Sequence, residues 1–199
     1  MLLLSFDTST PAVTVALSTG QAETVVAPNR HGELLAPLIE RLLGGTRPDG
    51  IVVGLGPGPF TGLRVGIVTA KALGQAWGIE VYGACSLDAM AVPNGAVATD
   101  ARRREVYWAT YDSVGKRQHG PSVGKPAEVA EVLRREKRTG VAGAGPRLYP
   151  EAFEGLAAVD PEYPSARALL NAPLSKDLTP LYLRRPDATP PGPPKKVTA

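Results

Sequence analysis

The chain has 199 residues, a formal net charge of +3, a sequence pI of about 9.1 and 43% hydrophobic residues. That length holds one large domain or two small lobes, each with a real core. No apolar run reaches the length of a membrane span, and the single cysteine, Cys85, excludes an internal disulfide and suits a cytoplasmic protein. The mild basic excess permits an RNA-handling role without demanding one.

Met1-Leu2-Leu3-Leu4-Ser5-Phe6-Asp7 carries no basic leader and reads as a first strand rather than a signal peptide. The turn Asp7-Thr8-Ser9-Thr10-Pro11 leads to a second strand, Ala12 to Leu17, and a third lies near Thr24-Val25-Val26. Leu34, Leu35, Leu38, Ile39, Leu42 and Leu43 repeat at spacings of three and four, which predicts a helix over 32–43 ended by Gly44-Gly45. Pro37 inside it implies a late start or a kink. Asn29 is a candidate cap, and Glu33 suits the dipole of the helix start. A strand follows at Gly50–Val53, then a glycine-proline loop, a helix from about Gly62 to Trp77 and a strand at Glu80–Tyr82. A short helix follows Ser86, itself a plausible cap. Cys85 has no histidine nearby in sequence and reads as a small buried residue rather than a nucleophile.

At Gly95 the pattern restarts. Ala96-Val97-Ala98-Thr99-Asp100 repeats the apolar strand ending in Asp, and a strand from Glu105 to Tyr111 follows a polar turn. Two strand–Asp–turn–strand units half a chain apart indicate an internal duplication. A helix near Ala127–Glu136 and a strand near Gly140–Ala142 continue the second copy. The alternation of strands and helices indicates α/β layering. The predicted organisation is an N-terminal lobe over 1–94, a C-terminal lobe over 95–185 and a disordered Pro/Lys-rich tail over 186–199.

The densest signal is the loop after the fourth strand, Gly54 to Gly62. Strand, glycine-rich loop and helix are the grammar of nucleotide binding. Here Pro57 and Pro59 lack the N–H groups that cradle phosphate. Neither the P-loop nor the G-x-G-x-x-G pattern is met, so the loop fixes backbone shape instead. No Gly-x-Ser-x-Gly elbow is present. His31 and His119 are the only histidines and form no helical pair, so no metal site is predicted.

Taken together, Asp7-Thr8-Ser9, His31-x-Glu33, Gly56-Pro57-Gly58-Pro59-Phe60-Thr61-Gly62-Leu63-Arg64, Asp100-Ala101-Arg102-Arg103 with Glu105-Val106-Tyr107, and Tyr182-Leu183-Arg184 resemble the bacterial TsaB (YeaZ) family. Pro59 departs from the family's usual Ser. The resemblance implies a two-lobed actin-like ATPase (ASKHA) fold, each lobe a mixed sheet flanked by helices. It implies a role in forming N6-threonylcarbamoyladenosine at position 37 of tRNAs that read ANN codons. In that family TsaB is a non-catalytic partner of TsaD, which it resembles in fold, and the pair recruits the small ATPase TsaE. ATP and metal then belong to the partner subunits, and no cofactor is expected for this chain alone. Contact with tRNA would be indirect, and no membrane is involved.

Gly62, Gly66, Ala70 and Gly74 recur every four residues and lay a smooth stripe on the second helix. That stripe either packs on the protein's own sheet or meets another subunit. The resemblance implies the second, with Leu34, Leu35, Leu38, Leu42, Leu63, Gly66, Ala70 and Leu73 at a partner interface, and a homodimer through the same helices as the alternative pairing. On that reading Gly66→Leu or Ala70→Glu weakens partner binding and leaves the fold intact. Asp7, Thr8 and Asp100 mark a vestigial nucleotide site, where the turn oxygens cap local N–H groups. Arg102, Arg103 and Arg104 form either a solvated turn or a contact to tRNA phosphates or an acidic partner, with no aromatic residue interleaved to stack a base. The rival classes are an ATP-binding phosphotransferase or ATPase of the same fold, with Asp7, Thr8 and Asp100 at the nucleotide, and a metallopeptidase-like protein.

Overall fold

Two five-stranded sheets organise the computed structural model, which describes residues 1–184. The stretch 186–199, read from sequence as a tail, lies outside the described residues. The first sheet contains β1 (Leu3–Asp7), β2 (Ala12–Leu17), β3 (Ala22–Val26), β4 (Gly50–Gly54) and β5 (Glu80–Ala84). Its order is β3-β2-β1-β4-β5, with β1 antiparallel to β2 and parallel to β4. The helices α1 (His31–Leu43) and α2 (Phe60–Trp77) pack on one face. Phe6, Val13, Val15, Leu35, Leu38, Val53, Leu63 and Ile67 fill the layer between.

The second sheet repeats this plan. It contains β6 (Ala96–Asp100), β7 (Val106–Tyr111), β8 (Arg117–Gly124), β9 (Gly140–Ala142) and β10 (Ala157–Val159), in the order β8-β7-β6-β9-β10. Here β6 is antiparallel to β7 and parallel to β9. The helix α3 (Pro126–Arg135) covers one face, and α4 (Gly145–Leu148) is a single turn where the first lobe has the long α2. Val106, Val129, Leu133, Val141 and Phe153 form this core. A third cluster of Cys85, Leu87, Met90, Val97, Ala109 and Tyr111 joins the segment after β5 to the other face of the second sheet.

The chain then returns to the first lobe. The short helix α5 (Ala166–Leu169) contacts β1, β2 and β4 on the face away from α1 and α2. Ser5 Oγ donates to Ala166 C=O at 2.7 Å, Gly83 and Ser175 form an isolated bridge, and Leu181 N–H donates to Leu55 C=O at 2.9 Å. The predicted lobe 95–185 thus includes a stretch that packs on the first sheet, where it covers the second face of β1 and β4, strands buried on both faces.

Three local expectations are corrected. The first helix begins at His31, so Pro37 sits in its interior rather than its first turn. Pro37 and Glu33 are both exposed, which leaves the carbonyl that lacks a donor on the solvent side. Asn29 is not the cap: it adopts φ 65°, Arg30 occupies the cap position, and Arg30 Nε pairs with Glu33 Oε2 at 2.9 Å. Ser86 caps no helix, because only a 3-10 turn follows at Asp88–Met90 and its hydroxyl serves Asp7 instead.

Candidate functional site

The β1–β2 turn is the part of an actin-like lobe that would face a nucleotide, and here it is filled by protein. Asp7 is fully buried at the end of β1. Its Oδ1 accepts from Ser9 N–H at 2.7 Å and from Ser9 Oγ at 2.6 Å, and its Oδ2 accepts from Ser86 Oγ. Ser86 Oγ in turn accepts from Gly56 N–H at 3.0 Å, and Ser86 N–H donates to Gly56 C=O at 2.7 Å. Burial pushes the Asp7 carboxyl above its usual range, while the bonds from Ser86 and Ser9 and the nearby His31 pull it back. Local bonding to Ser9 is legible in sequence as a turn; the partner 79 residues away is not.

The loop 55–62 closes over this turn, and its glycines are what make the approach possible. A Cβ at Gly58 would lie 2.2 Å from Ser9 C=O oxygen, and one at Gly62 would lie 2.4 Å from that of Thr8. Thr8 Oγ1 donates to Gly62 C=O at 2.8 Å. Thr8 and Ser9 are accordingly buried.

The small-residue stripe of α2 continues that contact. A Cβ at Gly66 would meet Thr8 Oγ1 at 2.5 Å, and one at Gly74 would meet Val81 Cγ2 at 2.3 Å. The stripe therefore packs on the protein's own sheet. Leu35, Leu38, Leu63, Gly66 and Ala70 are all buried behind the helix surface. They support an outer face and cannot touch a partner themselves, which corrects the predicted interface. Gly66→Leu would then disrupt the fold rather than spare it. Leu34, Leu42 and Leu73 are half-buried between the helices. The side that α1 and α2 turn to solvent carries Ala36, Pro37, Val68, Ala72 and Ala76, with Val68 62% exposed. Beside it runs a groove of about 430 Å³ lined by Ala36, Ile39, Leu43, Thr69, Leu73 and Trp77.

Asp100 lines a cleft with Ser9 and Thr10 of the β1–β2 turn, whereas Asp7 and Thr8 are buried. Asp100 ends β6 in the second sheet, where its Oδ1 accepts from Arg102 N–H at 2.7 Å. Arg102, Arg103 and Arg104 adopt φ of 61°, 53° and 58°, a left-handed run uncommon for residues with side chains. Arg102 and Pro59 line two adjacent clefts: one of about 310 Å³ with His31 and Thr61, the other of about 210 Å³ with Thr99, Asp100 and Tyr163. Cys85 is buried beside Asp88 and Arg117, and burial together with Asp88 pushes its thiol up to about 11, which makes it a poor nucleophile. Among the described residues, no three His, Cys, Asp or Glu side chains gather as metal ligands, and no helix is long and apolar enough to cross a membrane.

Comparison with known proteins agrees with this architecture. The family model described as TsaD, tRNA N6-adenosine threonylcarbamoyltransferase, matches residues 22–156. The tRNA threonylcarbamoyladenosine biosynthesis protein TsaB of Escherichia coli is 32% identical over 76% of this chain and 74% of its own length. The chain belongs to the TsaB family. The TsaB proteins of Haemophilus influenzae and Bacillus subtilis match shorter stretches, at 34% and 31% identity over 55% and 56% of this chain and 53% and 55% of their own lengths. An uncharacterized protein of Mycobacterium tuberculosis is 43% identical over 94% of both chains. Among solved structures, YeaZ from Pseudomonas aeruginosa superposes with a TM-score of 0.71 at 32% identity, covering 86% of this chain and 90% of that one. A Pseudomonas aeruginosa protein described as similar to peptidase YeaZ gives 0.75 at 30% identity, covering 92% and 99%.

Proposed function

We propose that this TsaB-family chain acts in tRNA threonylcarbamoyladenosine biosynthesis as a non-catalytic subunit. It pairs with a TsaD homologue, and the pair recruits a TsaE homologue, so that ATP and metal chemistry reside in the partners. The setting is the cytoplasm. The observation that carries this reading is the state of Asp7. Its two carboxylate oxygens are occupied by Ser9 and Ser86, and the 55–62 loop lies on the turn backbone that a phosphate would need. An actin-like lobe with that turn closed retains its outer surface as its means of action.

The surface offered for pairing is the solvent side of α1 and α2. Val68, Ala72 and Ala76 recur at spacing four on α2, and Ala36 and Pro37 stand on α1. Small side chains let a second pair of helices approach closely. Val68→Asp should weaken co-purification with the TsaD homologue by about tenfold or more, as charge burial at an interface centre does. Its unfolding midpoint should stay near that of the unchanged chain, since Val68 is largely exposed. Retention of a second copy in place of TsaD, lost in the same variant, would identify a homodimer as the natural pairing. A tRNA modification assay with and without this subunit tests the role itself. Micromolar binding of ATP and magnesium by the isolated chain in calorimetry would instead favour an ATPase.

A further inference from the structure

Phe60, Arg64 and Tyr182 come together although 122 residues separate the first from the last. The Phe60 and Tyr182 ring centroids are 4.9 Å apart with a 31° tilt, and the Arg64 guanidinium lies 3.9 Å from the Phe60 centroid. Tyr182 remains 39% exposed and Arg64 is exposed. The segment carrying Tyr182 is tied to the arginine turn, because Arg184 pairs with Glu105 at the foot of that turn. Burial and then Arg103 both disfavour the Arg184 cation, while Asp100 favours it. Two acids are nearby and both are engaged: Glu105 by Arg184, and Asp100 by Arg102 at 3.5 Å. Arg64 and Arg104 have no acidic partner within ion-pair distance among the described residues. Pro59, next to Phe60, and Arg102 both line the two neighbouring clefts, which places the arginine turn near the start of α2.

We propose that this surface binds single-stranded RNA, with the Tyr182–Phe60 pair stacking an unpaired base and Arg64, Arg102 and Arg104 contacting the flanking phosphates. Aromatic faces beside exposed guanidinium groups suit nucleic acid, because a base stacks on a ring while its phosphates meet the charge. An acidic protein surface would use the arginines and leave the rings idle. The inference deepens the proposed function by making the RNA contact direct, and it rests on that reading for the RNA's identity as a tRNA loop.

The test is binding of the full chain to a fluorescent anticodon stem-loop RNA and to an unstructured oligouridylate, followed by anisotropy across a salt series. Tyr182→Ala should weaken binding by about tenfold or more, while Tyr182→Phe, which keeps the ring, should bind like the unchanged chain. Arg102→Ala with Arg104→Ala should make the slope of log affinity against log salt shallower by about 1.4, the value for two lost phosphate contacts. Affinity that ignores Tyr182→Ala, a slope that ignores the arginine pair, or equal competition by polyglutamate would overturn the assignment. The same variants should still co-purify with the TsaD homologue. If pairing fails for every form while Tyr182-dependent RNA binding persists, the proposed function falls and this inference stands.

Discussion

The two lobes share one strand order and treat its key acid in opposite ways. Asp7 closes β1 and Asp100 closes β6, each followed by an antiparallel return strand. Asp7 is sealed by Ser9, Ser86 and a glycine loop, whereas the Asp100 side chain keeps 25% of its surface in solvent and steadies an exposed arginine turn. Equivalent topology therefore does not dictate equivalent chemistry. The difference lies in the segment after the fourth strand of each copy. In the first lobe a five-residue loop and an 18-residue helix follow that strand; in the second only a four-residue helix does.

The contrast between the lobes breaks most sharply at Gly54. A Cβ there would sit 1.7 Å from Asp7 Oδ2 and 2.7 Å from Ser86 Oγ. Gly54→Ala should cost more than about 4 kcal/mol in urea unfolding or prevent folding altogether. Gly115→Ala, in the β7–β8 turn of the second lobe, meets nothing within 4 Å and bears only the strain of φ +78°, about 1–2 kcal/mol. Equal losses at the two sites would refute the account of the sealed turn.

Next in size is removal of the acids. Asp7→Ala strands the buried Ser9 and Ser86 donors and should destabilise by about 3 kcal/mol. Asp100→Ala gives up a partly exposed turn and ion pair and should lose about 1 kcal/mol or less. Thermal or urea unfolding of both variants measures the gap.

The smallest effect sharpens the contrast through pH. Burial holds the Asp7 carboxyl above 3.8, so the native state keeps this proton where the unfolded chain has released it. The stability tied to this site is full below 3.8 and falls as pH rises towards the raised native value, then stays level. Asp7→Asn should flatten that part of the profile and cost little near neutrality, because an amide can accept from Ser9 and donate to Ser86 Oγ. Asp88, raised by burial against Arg117 and Tyr111, keeps a slope of the same sign in both proteins. A profile unchanged by Asp7→Asn would contradict the buried, proton-retaining state.

Much of this fold is legible because strands announce themselves. The apolar Ala12–Leu17 and Ala96–Asp100 runs carry their observed bounds in the sequence, and the repeated strand–Asp unit points to two lobes. Periodicity also groups Gly62, Gly66, Ala70 and Gly74 on one side of α2. It carries no sign of direction, and the close approaches to Thr8 and Val81 reveal that they face inward. The Ser86–Asp7 bond and the Phe60–Tyr182 contact join residues too distant in sequence for any local pattern to pair them. The run of Arg102 to Arg104 is visible as charge, but the meeting of Arg64 and Tyr182 on Phe60 is not.

The stitching of Ser175 and Leu181 onto Gly83 and Leu55 has a consequence for biosynthesis. One side of the first sheet stays bare until those residues have left the ribosome, by which time the whole second lobe has already emerged. The half of the molecule made first is thus the half completed last, and translation stalled between 160 and 180 would leave its apolar strands open to chaperones.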